Sequence, residues 1–404
     1  MRGIVLDRIN LRERADVNSR VLDIYEKNTI VEVVATKPGV DLDQEDLWYQ
    51  LKNGGFLWSS GVRIHMEDFD LPEKEREQFM ICYRQTKDGV IREDLKSVPA
   101  KLSFAKLSLP SHIENIRAEE WSVKGFVNNV MSSVHEVDPQ VKRKHVFIYI
   151  PGYQLQLLNS LRTDLLSSFT LSYMTHPQNS IAKVLFFSWP SQSGPKRETV
   201  DDRSVAAGES FTANGMFDYL EKLSIELKKE NRCLNLVAHS FGHQLLNGMI
   251  NPKSGTVPQK IFENVFLMAP DISYLSVQIN GALIKNTIKN PGSSDTILYD
   301  LSKLNTLANN IHVFHDKYDF LLYSSTVRFA GDKDLRDLSE TGQYRNLGNH
   351  GNMLKQQPIH DNFHFIDVEN EVKNNPAGDL WDYPFRALKA RFERDINDMQ
   401  DPTN

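Results

Sequence analysis

The sequence predicts an α/β domain with a mostly parallel sheet, preceded by a small all-β unit. Two observations support this. From residue 145 onward, short apolar runs alternate with longer amphipathic segments, the pattern of parallel strands joined by crossover helices. The first 65 residues instead contain short β-rich runs separated by polar turns, a pattern typical of a small barrel.

Periodicity sets the boundaries of the predicted elements. The strands are 145–150, 183–188, 233–238, 263–268, 311–315 and 363–368, and the helices are 156–175, 203–229, 241–250 and 381–398. A charged stretch with Pro72 follows the β-rich unit and reads as a linker. We therefore expect a barrel at residues 1–65, a linker at 66–78 and the α/β domain at 79–404.

Composition excludes several classes of protein. The chain has 404 residues, 40% of them hydrophobic, and a formal net charge of −6, which gives no electrostatic reason to expect a nucleic-acid partner. Its two cysteines, Cys82 and Cys233, lie in predicted strands and read as buried thiols. Neither a zinc-ligand spacing, nor a signal peptide, nor a transmembrane segment is predicted, so we expect no metal and a cytoplasmic location.

The most informative motif surrounds Ser240. An apolar strand, Cys233 to Ala238, runs into His239-Ser240-Phe241-Gly242 and then into a predicted amphipathic helix. Small residues at 238 and 242 allow strand and helix to cross closely, and the sharp turn raises the serine hydroxyl above the sheet. The pattern predicts a nucleophile elbow, although an ordinary strand-to-helix turn is the alternative.

Other segments fall at carboxyl ends of predicted strands, where open α/β sheets place their sites. The strand 145–150 ends in Pro151-Gly152-Tyr153, and the backbone N–H of Tyr153 or Gly152 could pair with that of Phe241 to bind an oxyanion. The glycine could instead serve a tight turn. The strand end at Trp189-Pro190-Ser191 is expected to line the pocket through Trp189 and Ser191.

These motifs, with Ala269-Pro270-Asp271 and His315-Asp316-Lys317-Tyr318-Asp319, occur in the order seen in a bacterial α/β-hydrolase family of uncharacterised function. The chain resembles this family from about Phe79 to Phe385. The resemblance implies an α/β-hydrolase fold and serine-dependent hydrolysis of an ester-like bond, and it supplies no substrate.

The first 65 residues resemble a bacterial SH3-like domain. An asparagine-leucine-arginine start, a Trp48-Tyr49 strand and a glycine-aromatic-tryptophan ending at Trp58 carry this resemblance. It implies a peptide or cell-wall ligand. A packing module that only braces the enzyme is an equal alternative.

The acid of a catalytic triad is predicted at Asp319, just past a strand end and after the nucleophile in the order usual for this fold. Asp271, after the preceding strand, is the alternative, and Asp316 is the third candidate. Each could instead hold a loop through side-chain hydrogen bonds.

The general base is harder to place, because the fold expects a histidine after the last strand and His364 is the last histidine of the chain. His350 lies in a glycine-rich stretch that could fold over the site. His364 and His315 are alternative bases, and it is also open that no histidine fills this role.

We therefore predict a serine hydrolase that cleaves a small-molecule or lipid ester through an acyl-enzyme on Ser240 and needs no metal or organic cofactor. The alternative is a catalytically impaired homologue that binds a ligand or partner, with the SH3-like domain for targeting.

Overall fold

The structure of the protein is a computed structural model. It describes residues 2–5, 7–42, 45–64, 77–84, 86–91, 101–108, 116–137, 144–152, 181–190, 198–253, 257–285, 296–316, 347–351 and 358–368. The predicted linker lies almost entirely outside these ranges, and the α/β domain begins with a strand at Glu77.

Residues 2–64 form an antiparallel sheet. Its strands are β1 (Arg2–Val5), β2 (Ile9–Arg12), β3 (Val21–Tyr25), β4 (Ile30–Leu42), β5 (Glu45–Leu51), β6 (Phe56–Trp58) and β7 (Val62–Ile64), in the order β3-β2-β6-β5-β4-β1-β7. Trp48 and Leu57 are buried in its core, as aromatic and aliphatic residues of so small a unit should be. Over the described residues the end strands β3 and β7 do not pair, so the closed barrel is not observed and the SH3-like assignment stays a prediction.

The larger domain is built on an eight-stranded sheet. Its strands are β8 (Glu77–Cys82), β11 (Ser103–Ser108), β12 (His145–Ile150), β13 (Ile181–Ser188), β14 (Cys233–His239), β15 (Phe262–Met268), β18 (Ala308–His315) and β19 (Phe363–Asp367), in the order β11-β8-β13-β12-β14-β15-β18-β19. Only β11 is antiparallel to its neighbour. The mostly parallel sheet is therefore confirmed, and all six predicted strands are present. Two hairpins stand apart from the sheet, β9–β10 (Thr86–Lys87, Val90–Ile91) and β16–β17 (Ala282–Lys285, Thr296–Tyr299).

In the described ranges, helices pack on one face of this sheet. They are α1 (Val123–His135), α2 (Glu198–Ala213), α3 (Met216–Lys229), α4 (Gly242–Ile250), α5 (Leu304–Leu307) and α6 (Leu347–His350), with short 3-10 turns at Ser59–Gly61 and Tyr274–Val277. The predicted helix 241–250 is confirmed. The predicted single helix 203–229 is wrong, because Gly215 adopts a left-handed conformation (φ 72°) that ends one helix and starts the next. The predicted helices 156–175 and 381–398 lie outside the described residues.

Close helix packing fixes α4, which follows the candidate nucleophile. A side chain at Gly208 of α2 would overlap the backbone of α4, 2.2 Å from the carbonyl oxygen of Leu245, so the two helices touch through their backbones. The Thr212 hydroxyl donates to the carbonyl of Met249 at 2.7 Å. The middle and the end of α4 are thus held against α2 by close backbone packing and by this bond.

In the described part of the chain, no helix is long and apolar enough to cross a membrane.

Candidate active site

Ser240 stands at a strained turn between β14 and α4. Its φ is 48°, in the left-handed region that residues with a side chain rarely occupy. Such a conformation costs about 1–3 kcal/mol and persists only where the surroundings enforce it. Here the Ser240 N–H donates to the Met268 carbonyl at 2.9 Å, and the Ser240 carbonyl accepts from the backbone N–H groups of His243 and Asp271, both at 3.2 Å. The elbow is therefore fixed from both sides.

His243 reinforces the elbow and cannot be its base. Its imidazole Nδ1–H donates to the Ser240 carbonyl at 2.6 Å. The side chain is fully buried, and burial lowers the pKa of His243 to about 3, a shift that the bond to Ser240 only partly offsets. Nδ1 is occupied and the ring faces the backbone, so His243 has a structural role.

Gly152 approaches Ser240 from the β12 side. A Cβ at position 152 would lie 2.8 Å from the Ser240 Cβ and 3.1 Å from the His239 carbonyl oxygen. A side chain at Gly242 would likewise overlap the carbonyl oxygens of Ile150 and Pro151, at 2.8 and 2.7 Å. Both glycines let the end of β12 lie directly against the elbow, which is where the second oxyanion donor is predicted.

The N-terminus of α4 faces the same space. Phe241 precedes the first residue of this nine-residue helix, so its N–H belongs to the group of N-terminal donors that point along the helix axis. The predicted partner Tyr153 lies outside the described residues. Gly152 and Phe241 are therefore the candidate oxyanion residues that the structure brings together.

Trp189 braces both of these segments. Its Nε1–H donates to the Pro151 carbonyl at 3.0 Å, and its ring stacks on Phe241 with centroids 6.0 Å apart and an interplanar angle of 18°. The side chain is buried, and its predicted place in the pocket wall stays a prediction. The predicted pocket residue Ser191 lies outside the described residues.

A buried arginine holds Trp189 in turn. Arg84, at the end of β8, donates through Nε to the Ser188 hydroxyl at 2.9 Å and through Nη2 to the Trp189 carbonyl at 2.5 Å. Charge-assisted bonds of this kind are stronger than neutral ones. Sequence reasoning missed Arg84, since its partners lie more than a hundred positions away.

Of the predicted acids, Asp271 is beside the elbow. Its backbone N–H donates to Ser240 and its carbonyl accepts from the Gln244 amide at 3.0 Å. The side chain is buried. Two residues earlier, Ala269 also has a positive φ, 43°, so β15 ends in a second strained turn next to the first. Asp319 lies outside the described residues.

The segment that carries His350 is tied to the carboxyl ends of two strands. Leu347 and Gly348 donate through their N–H groups to the carbonyls of Ile272 and Pro270, at 2.8 and 3.0 Å, and Asp316 donates to the Gly348 carbonyl at 2.8 Å. The backbone of α6 therefore lies at these strand ends, and folding of the stretch over the site stays a prediction.

His315 ends β18 and packs against that segment. A Cβ at Gly351 would lie only 2.4 Å from Cδ2 and Nε2 of the His315 imidazole, so this glycine, with φ 49°, makes room for the ring. Burial lowers the pKa of His315, and the carboxylates of Asp367 and Asp316 act in the opposite direction. A neutral imidazole with acids beside it is what a general base requires.

The alternative base His364 lies elsewhere. It is three positions before the end of β19, in register with His312, and the two rings lie 5.4 Å apart. At about 3.3 Å per residue, this places it about 10 Å below the carboxyl edge of the sheet. The structure therefore brings His315 and the backbone of His350 to the strand ends and leaves His364 away from Ser240.

No group of three or more His, Cys, Asp or Glu side chains in the described ranges is arranged to hold a metal ion. Burial raises the pKa of the Cys82 thiol to about 12 and that of Cys233 to about 12. Both cysteines are free.

Comparison with known proteins gives one clear match. The family model described as "alpha/beta hydrolase of unknown function (DUF900)" matches residues 130–342, just over half of the chain. A search of curated proteins gives no match. Among solved structures, an acylaminoacyl peptidase from Pyrococcus horikoshii is 10% identical, with a TM-score of 0.28, over 93% of this chain and 58% of that one.

Proposed function

The chain belongs to the alpha/beta hydrolases of unknown function, and we propose on this basis that it is a serine hydrolase that cleaves an ester-type bond through an acyl-enzyme on Ser240. One observation carries the proposal. Ser240 is held at φ 48° with Gly152 against its Cβ on one side and α4 beginning behind it. A binding pocket has no need of a strained serine, whereas a nucleophile elbow does.

The proposed reaction begins with attack of the Ser240 hydroxyl oxygen on the ester carbonyl carbon. The hydroxyl proton passes to a histidine, and the carbonyl π electrons move onto the oxygen, which becomes an oxyanion near Gly152 and the Phe241 N–H. Collapse of this intermediate breaks the carbon–oxygen bond to the leaving alcohol, which takes the proton. Water then attacks the acyl-enzyme by the same route and releases the acid and the free serine.

The general base belongs to the cluster at the strand ends that contains His315 and His350. His315 packs on Gly351, the residue that follows His350, so the two histidines lie on neighbouring segments. Asp271 and the predicted Asp319 are the candidate acids for His350. Oxyanion donors are each worth up to about 3–4 kcal/mol of transition-state stabilisation for any carbonyl substrate. An ester is the favoured substrate class because its leaving group needs the least help from a general acid.

The first test is labelling of the full-length protein with a fluorophosphonate, which reacts only with an activated serine. We expect labelling of the wild type and none of Ser240→Ala. Ser273→Ala is the matched control, since that serine caps a nearby turn by accepting from the Leu275 N–H and lies outside the elbow. Labelling that persists in Ser240→Ala would contradict the assignment of the nucleophile.

A catalytically impaired binding protein is the second candidate. The observation in its favour is that the chain has no histidine after His364, although a histidine after the last strand is usual in this fold. An unlabelled wild type with native circular dichroism would support this candidate. Binding of ester analogues would then be measured by calorimetry on the same protein.

We further propose that residues 1–65 form an SH3-like unit separate from the hydrolase at 79–404, with a peptide or cell-wall ligand. Trp48 is 1% exposed and cannot reach a ligand, whereas Trp58 at the end of β6 is partly exposed. The test is cosedimentation of the full-length protein with purified peptidoglycan. Loss of binding in Trp58→Ala, at unchanged esterase labelling, is the expected result, and equal binding of both proteins would count against it.

A further inference from the structure

A row of four residues crosses the carboxyl edge of the sheet. The ladder of β14 and β15 ends at the pair His239–Met268, and the ladder of β15 and β18 ends at Met268–Phe314. The next residues, Ser240, Ala269 and His315, therefore lie side by side, and His315 pairs in register with Asp367 of β19.

Backbone hydrogen bonds continue this row past the paired positions. Ala269 donates to the Phe314 carbonyl at 3.2 Å, and Val368 donates to the His315 carbonyl at 3.0 Å. These bonds fix the position of His315 along the strand direction, relative to the turn at Ser240 on one side and to β19 on the other.

The spacing suits proton transfer. Ser240 and His315 are two strands apart, about 10 Å between their backbones at about 4.8 Å per strand. The residue between them is Ala269, whose side chain is a buried methyl group. An imidazole and a serine hydroxyl extended toward each other can span such a distance with one hydrogen bond. Gly152 flanks Ser240 on the opposite side, so the oxyanion segment and the histidine do not compete for space.

Asp367 is placed to orient the imidazole. Paired residues of parallel strands point to the same face of the sheet. Phe314 and Ile366 both pack in the core cluster on one face. His315 and Asp367, the residues that follow them, therefore both point to the other face. Among the described residues, the titratable groups that act on His315 are Asp367 at the end of β19 and Asp316, the residue after β18, while Gly351, the residue after α6, packs against the ring. A carboxylate beyond the base stabilises the imidazolium as it forms.

We propose that His315 is the general base for Ser240 and that Asp367 is its positioning residue, so that the base ends β18 and the acid ends β19, the last strand of the sheet. This inference rests on the proposed function. It reverses the order Ser–Asp–His expected from the sequence, and it accounts for the lack of a histidine after β19.

The test combines labelling with direct titration of the histidine. His315→Gln is expected to slow fluorophosphonate labelling by about a hundredfold or more, the usual contribution of a general base, and to slow it far more than His350→Gln does. Asp367→Asn is expected to slow labelling by about tenfold and to lower the His315 pKa in an NMR titration. The control Asp361→Asn makes the same charge change on an exposed residue at the other end of β19 and should alter neither.

The outcomes separate the two proposals. A wild type that labels, together with normal labelling of His315→Gln and loss in His350→Gln, would assign the base to His350 and overturn this inference alone. An unchanged His315 pKa in Asp367→Asn would also overturn it, and this readout survives if His315→Gln fails to fold, because Asp367 is exposed. A wild type that does not label would defeat the proposed function itself.

Discussion

The carbonyl oxygen of Ser240 accepts two hydrogen bonds from His243, one from the backbone N–H at 3.2 Å and one from the imidazole Nδ1–H at 2.6 Å. Because a carbonyl can only accept, Nδ1 must carry the proton, and the buried ring stays in one tautomer. Two bonds from one residue hold the turn in a conformation that the chain would otherwise avoid. The strained turn at the proposed nucleophile is therefore maintained in part by the buried side chain of His243.

The strain predicts that Ser240→Gly is more stable than Ser240→Ala. Glycine adopts φ 48° freely and alanine does not, so the difference in unfolding free energy should be about 1 kcal/mol in favour of glycine, after allowance for its more flexible unfolded chain. Both variants lose the nucleophile. Urea unfolding followed by circular dichroism measures the difference.

A helical serine provides the control for this comparison. Ser132 is exposed within α1, where glycine is about 1 kcal/mol worse than alanine. Ser132→Gly should therefore be less stable than Ser132→Ala, the opposite order. If the two positions gave the same order, Ser240 would not be strained in solution.

Gly351→Ala is expected to impair the proposed base without touching Ser240. The new methyl group would meet the His315 ring at 2.4 Å, so the imidazole must move. Because a small displacement of a catalytic group is costly, we expect labelling to slow by about tenfold or more. Rates of fluorophosphonate labelling at saturating probe measure this effect.

Gly54→Ala separates this effect from backbone strain. Gly54 also has a positive φ, 91°, but a Cβ there meets no atom within 4 Å. Both variants should lose stability, whereas only Gly351→Ala should lose reactivity. Equal labelling rates of the two variants would show either that the His315 ring can move without loss of reactivity or that it takes no part in the reaction.

The sequence predicted the elbow but not the row across the strand ends. Small residues at 238 and 242 around a serine are a local pattern, and the structure realises it through backbone contacts with Gly152 and Pro151. The pairing of His315 with Asp367 depends on the register of β18 against β19, which share no local signal. The bonds of Arg84 to Ser188 and Trp189 depend likewise on the order of strands in the sheet. The contacts that depend on the register and order of distant strands are therefore the part of this site that the sequence did not predict.

Buried histidines predict that the fold loses stability in acid. Burial lowers the pKa of His145 to about 4 and that of His243 to about 3, below the ordinary value of 6.5. The unfolded chain therefore binds protons first as the pH falls. The stability that each neutral ring contributes is complete above pH 6.5 and declines below it, by up to about 1.4 kcal/mol per pH unit and histidine until the folded pKa is reached.

Urea unfolding between pH 7 and pH 4.5 measures this slope. Each substitution removes one group that takes up a proton on unfolding. His243→Gln and His145→Gln should therefore each reduce the slope of unfolding free energy against pH by a similar amount. The two residues have no contact with each other in the described structure, and the double variant should show the sum of both effects. An unchanged slope in either single variant would mean that the ring is already protonated, or hydrated, in the native protein.

Trp189→Phe is expected to loosen the oxyanion segment while the stack on Phe241 remains. The variant loses the Nε1–H bond to Pro151 and leaves a buried carbonyl without that donor, at a cost of about 1–3 kcal/mol of unfolding free energy. Since Pro151 precedes Gly152, labelling by fluorophosphonate should also slow. Trp121→Phe is the control, because Trp121 packs on Phe126 away from the elbow with ring centroids 6.3 Å apart, and it should lose stability at an unchanged labelling rate. If the two variants lost reactivity equally, the effect would come from general destabilisation and not from the bond to Pro151.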